Sequence, residues 1–101
     1  MPAVTVQSGN VLFAYVYLLD GRTPKSIMLQ YHTKGWLHRA VWGDYNIIPW
    51  GAANTTERVN MGPLPETNKW VRLEVPVEKI GLKPGDQING FALTQHGGIV
   101  Q

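Results

Sequence analysis

The sequence predicts an all-β domain, an antiparallel β-sandwich of jelly-roll type with about six to eight strands, from three observations. Ser26 to Asp44, SIMLQYHTKGWLHRAVWGD, reads as two strands folded over Thr33-Lys34-Gly35. Val11 to Leu19 and Lys69 to Pro76 are further runs rich in β-branched and aromatic residues. Turn formers such as Asp20-Gly21, Pro24, Gly62-Pro63 and Lys83-Pro84-Gly85-Asp86 separate the runs.

The hairpin comes first because the other strands are added around it. A period of two sends alternate side chains to opposite faces, so the turn length decides which residues share the core face. A three-residue loop at Thr33 to Gly35 sets His32 opposite Trp36, Gln30 opposite His38 and Met28 opposite Ala40. Ile27, Leu29, Tyr31, Leu37 and Val41 then form the core face. A loop with an even number of residues instead puts Trp36, His38 and Trp42 with Ile27, Leu29 and Tyr31. The three-residue loop separates apolar from polar better and is the reading adopted.

At 101 residues the chain is long enough for one domain, 1–101, with a modest core. Hydrophobic residues at 44% and charged residues at 16% describe a packed globule rather than a disordered segment. Nine Lys and Arg against seven Asp and Glu leave a net charge of +2, scattered too evenly to point to nucleic acid or an anionic membrane surface. With no cysteine, disulfides, thiolate metal sites and cysteine nucleophiles are excluded. The first residues, MPAVTVQSGN, lack the charged start and apolar run of a signal peptide. No stretch approaches the roughly 20 apolar residues of a membrane helix, so the chain reads as soluble, with no address of its own.

Val4 to Val6 is expected as a short edge strand. In Val11 to Leu19, Leu12, Ala14, Val16 and Leu18 are aliphatic, whereas Phe13, Tyr15 and Tyr17 fall on the other face. A strand apolar on both sides is covered twice, once by the core and once by a ligand or another chain. The long segment Tyr45 to Pro65 should hold a short strand near Glu57 to Met61, since long structureless loops are uncommon in compact domains. Lys69 to Pro76 points Val71, Leu73 and Val75 inward and Trp70, Arg72 and Glu74 outward. Val77 to Leu82 suits one helical turn, Gln87 to His96 a strand, and Gly97-Gly98 a tight hairpin before a short Ile99 to Gln101. Those last residues leave the sheet unfinished at that edge.

The phrases LFAYVYLL, IMLQYHTKGWLHRAVWG, MGPLPETNKWVRLEVP and GLKPGDQINGFALTQHGG together resemble a β-sandwich module appended to large secreted proteins of planctomycetes and related bacteria, often beside cytochrome-c-like domains. That module is similar in layout to galactose-binding-like, jelly-roll carbohydrate-binding modules. The shared residues are strand and turn positions from Val11 to Gly98, so the resemblance implies fold more than activity. It also implies an extracytoplasmic setting. Modules of that type are longer at both ends, and a shortened version exposes edges that invite pairing with another copy. The expected assembly is a homodimer or higher oligomer using Phe13, Tyr15 and Tyr17.

Four Trp and four Tyr fit sugar binding, in which aromatic rings lie under pyranose faces while amides and guanidinium groups meet hydroxyls. The candidate ligand-binding residues are Gln30, Trp36, His38, Arg39, Trp42, Trp50 and Gln95, weighed against the ordinary role of large aromatics as core. Glycoside hydrolysis needs two carboxyls about 5 to 10 Å apart, and Asp44 and Glu57 are the pair nearest the aromatic cluster. His32, His38 and His96 are the histidines available to a metal, although no HxH or HExxH spacing supports one. No cofactor is implied. The leading expectation is a non-catalytic carbohydrate-binding or assembly module. The alternatives are a small glycoside hydrolase and a structural interaction domain without a small ligand.

Overall fold

The computed structural model describes residues 3–21 and 23–96, so the expected Gly97-Gly98 hairpin and Ile99 to Gln101 lie outside the described residues. Among the described residues are eight strands: β1 Val4–Thr5, β2 Val11–Tyr17, β3 Ser26–His32, β4 Trp36–Gly43, β5 Val59–Gly62, β6 Trp70–Pro76, β7 Gln87–Ile88 and β8 Gly90–His96. A 3-10 turn, Val77–Ile80, follows β6 and ends at Gly81 in the left-handed region, where glycine avoids the Cβ penalty.

The strands build a sandwich. One layer is the four-stranded sheet β5-β4-β3-β8 and the other is the pair β2-β6, with β1 and β7 pairing at one end. Val16, Leu73 and Val75 from the small layer meet Ile27, Leu29, Tyr31, Ala40 and Trp42 from the large one, and Val77, Ile80, Leu82 and Ile88 join them. The clean alternation in β6 buries Leu73 and Val75 and leaves Trp70, Arg72 and Glu74 outside, as the period of two requires.

Three expectations change. The sheet is mixed, because β5 runs parallel to β4; the long 44–58 segment carries the chain back to the start of β4, as a parallel neighbour demands. The Gln87 to His96 run is interrupted at Asn89, whose N–H bonds the His32 carbonyl at 2.9 Å. The largest change is the hairpin register. His32 does face Trp36, but a bulge then skips Leu37, so Tyr31 pairs with His38, Gln30 with Arg39 and Ile27 with Trp42. One extra residue in a strand shifts everything after it to the other face. The core sets the outcome: Trp42 and Ala40 are buried inside while Leu37 stays half exposed. The Trp42 indole gains more from burial than Leu37, which is left at the hairpin tip.

The strand covered twice by its own chain is β3. Six of its seven residues are buried, because the 44–58 loop folds over its outer face and packs Ile48 on Met28 and Val41. The second face of β2 is left exposed among the described residues.

Candidate functional site

Two surfaces bear on function, and they lie on opposite outsides of the sandwich. The first is the outer face of the large sheet, where the expected site residues gather in part. Arg39 Nε donates to Gln30 Oε1 at 3.0 Å, Gln30 Nε2 donates to Thr94 Oγ1 at 3.3 Å, and Arg39 Nη1 donates to the Glu57 carbonyl at 3.3 Å. Burial pulls the Arg39 guanidinium below its usual pKa, with Glu57 opposing that and Arg58 adding to it. Gly51 holds the loop against this network: at φ +83°, a Cβ there would stand 2.6 Å from the Glu57 carbonyl oxygen and 2.8 Å from Arg39 Nη1. Trp50, beside it, is half exposed, and Trp36 at the hairpin tip packs edge-on against His32.

The other expected ligand residues are elsewhere. Trp42 is core, turned away from Gln30 and Arg39 by the register change. His38 points inward, and its Nδ1 donates to the Ile80 carbonyl at 2.7 Å, which leaves Nε2 to accept from Thr33 Oγ1 at 3.4 Å. The ring is a brace between the hairpin and the 3-10 turn. Gln95 shares the opposite face of β8 with Phe91 and Leu93, since it pairs with Ile27 as they pair with Tyr31 and Leu29. It therefore lies across the sheet from Gln30.

The histidines do not converge. His32 and His38 occupy opposite faces, and His96 pairs with Ser26 at one end of β3 while His32 is at the other, roughly 20 Å away at the rise of a strand. His32 Nδ1 is engaged with Asn89 Oδ1 at 2.5 Å. Among the described residues no group of three His, Cys, Asp or Glu is placed to hold a metal ion. Of the two carboxylates, Asp44 follows the end of β4 and closes a turn by accepting the Asn46 N–H at 3.1 Å, whereas Glu57 lies just before β5 with its own N–H bonded to Thr55 Oγ1 at 3.2 Å.

The second surface joins Phe13, Tyr15 and Tyr17, which the sequence places on one strand face, to Trp70, which it does not bring to them. Pairing of β2 with β6 sets Phe13 opposite Glu74, Tyr15 opposite Arg72 and Tyr17 opposite Trp70, all outward. The four rings are exposed, Trp70 most of all at 69%. Phe13 and Tyr15 pack at 5.9 Å and 79°, and Tyr17 and Trp70 at 5.5 Å and 69°. Near-perpendicular pairs allow at most one ring of each to lie flat, so this face is ridged. The Arg72 guanidinium covers Phe13 at 4.1 Å from the ring centroid. From Phe13 to Tyr17 the row runs about 14 Å. The outward alternation of each strand was the available signal; their pairing, across more than fifty residues of chain, was not.

A third feature is an open cleft of about 670 Å³ between the hairpin tip and the 81–89 loop, lined by His38, Lys34, Lys83, Asp86 and Asn89 among others, with no Trp, Tyr or Phe. Among the described residues no helix is long and apolar enough to cross a membrane.

Comparison with protein-family models, with curated proteins and with solved structures returns no match to this chain.

Proposed function

We propose that this domain is a non-catalytic carbohydrate-binding module whose platform is the outer face of β2 and β6. The observation that carries the reading is the row Phe13, Tyr15, Tyr17 and Trp70, left in solvent on a strand pair whose other face packs on the core. Solvent-exposed aromatics in contiguous rows are costly to leave bare and mark interaction surfaces. Sugar rings present apolar faces to such groups, and Arg72 and Glu74, interleaved with the rings, supply a donor fork and an acceptor for hydroxyls.

Affinity electrophoresis through gels containing soluble polysaccharides tests this. The expected result is retardation in at least one gel, weakened about tenfold by Trp70→Ala or Tyr15→Ala, equivalent to about 1.4 kcal/mol, and unchanged by Trp36→Ala. Migration unaffected by every polysaccharide, or retardation that survives both platform substitutions, defeats the assignment.

A further inference from the structure

The lateral edges of the sandwich are unlike. On one side β5 is four residues long, pairs through a register shift and is followed by Pro63, while β6 carries Arg72, Glu74 and Pro76. Short length, irregular pairing, charge and proline are the devices that stop a strand edge from recruiting another strand. On the other side β8, GFALTQH, has none of them. It runs seven residues in unbroken register with β3, contains no Lys, Arg, Asp, Glu or Pro, and has β3 as its one neighbour among the described residues.

The small layer also stops short of this strand. Phe91 and Leu93 share the face of Tyr31 and Leu29, which are buried, yet they are 56% and 44% exposed. An apolar gap of about 130 Å³ between Leu12, Phe13, Tyr31 and Phe91 marks where the cover ends. Among the described residues β8 therefore projects beyond β2 and offers an open edge.

We infer that a second copy of this chain pairs there, β8 against β8 in antiparallel fashion about a two-fold axis, giving one continuous eight-stranded sheet. An antiparallel strand pair is self-complementary, as an isologous contact requires. Using all seven residues places Leu93 opposite Leu93 of the second copy and Phe91 opposite its Gln95. The strand's lack of charge is what suits it to its own copy: no like charges meet across the axis, and the Leu93 pair on the axis adds to the backbone bonds. The contact is on the opposite layer from the aromatic row and does not depend on sugar binding.

Sedimentation equilibrium of the 101-residue chain should give twice 11.3 kDa. Leu93→Lys and Leu93→Glu each set like charges face to face and should weaken association about tenfold or more. An equimolar mixture of the two should restore the dimer. In the unsubstituted chain, β8 amides should lose hydrogen-exchange protection on dilution, a readout that needs no variant to fold. A monomer at all concentrations overturns the inference, as does a dimer indifferent to both substitutions or β8 amides whose exchange ignores concentration.

Discussion

The two outer faces of this sandwich end in opposite ways to what their side chains alone suggest. β2 is apolar on both sides and the outer face of β3 is mixed, with Met28 between Ser26 and Gln30. Yet β3 acquires a second cover from its own chain, the 44–58 loop, whereas β2 acquires none among the described residues. The loop is held by a small set of specific contacts. Arg58, buried at 6% exposure, lies over the Tyr45 ring at 4.6 Å from its centroid and donates through Nη1 to the carbonyls of Tyr45 at 3.2 Å and Ile48 at 3.4 Å. The Tyr45 hydroxyl in turn donates to the Arg58 carbonyl and accepts the Asn54 N–H. A sheet face becomes interior when a loop can satisfy its own polar groups while lying on it. Nothing among the described residues does this for β2, and so its rings remain available.

Breaking the cover should produce the largest effect. Arg58→Ala removes the donor to two buried carbonyls and leaves a void beneath the loop, and it should cost about 2 to 4 kcal/mol. Arg58→Met should cost less, because it refills the space, and because the guanidinium Nε has no partner among the described residues and already carries a desolvation penalty. Urea unfolding of the two variants measures this. If both are as stable as the unsubstituted chain, the loop is not held by Arg58 and the contrast between the faces loses its cause.

How much of this was legible in the sequence follows from the range of the interactions. Val77 to Leu82, Val71-Leu73-Val75 and the 83–86 turn were readable because neighbours in sequence decide them. The hairpin was readable as a hairpin but not in register. Whether Leu37 or Trp42 is buried depends on a core contributed by β2 and β6, and the bulge that reconciles tip and core has no local marker such as a glycine at Leu37. The candidate ligand set inherited that error at His38 and Trp42. Gln30 and Arg39 fall on opposite faces in the three-residue-loop register; the bulge brings them together, and they bond each other rather than stand open. Trp70 was read as outward, and became part of a site only through pairing with β2.

The boundary between covered and bare can be sharpened at Tyr31. Its ring stacks on Phe91 at 6.4 Å, where the small layer ends, and burial raises its pKa from 10.0 to about 12. The fold favours the neutral phenol, so the stability it provides is complete below pH 10 and is lost as the pH rises from there through about 12. The difference in stability between the unsubstituted chain and Tyr31→Phe should therefore change across that window and be flat below it. A phenolate absorbance titration with every tyrosine ionising near pH 10 would show that water reaches Tyr31, and that the cover ends further in.

The smallest effect is expected on the bare face itself, and its smallness is the point. Trp70→Ala and Tyr17→Ala remove exposed rings whose main neighbours are each other, in an edge-to-face pair worth about 0.5 to 1.5 kcal/mol at most. Because the substitution also removes apolar surface from solvent, the net change in folding stability should be within about 0.5 kcal/mol. Denaturant midpoints of the single variants and of the double variant measure it. A loss comparable with that of Arg58→Ala would mean that the row is holding β2 to β6, so that its exposure reflects a structural role. A near-zero loss leaves the folded domain with aromatic side chains that it does not need for itself, which is the condition a surface reserved for another molecule has to meet.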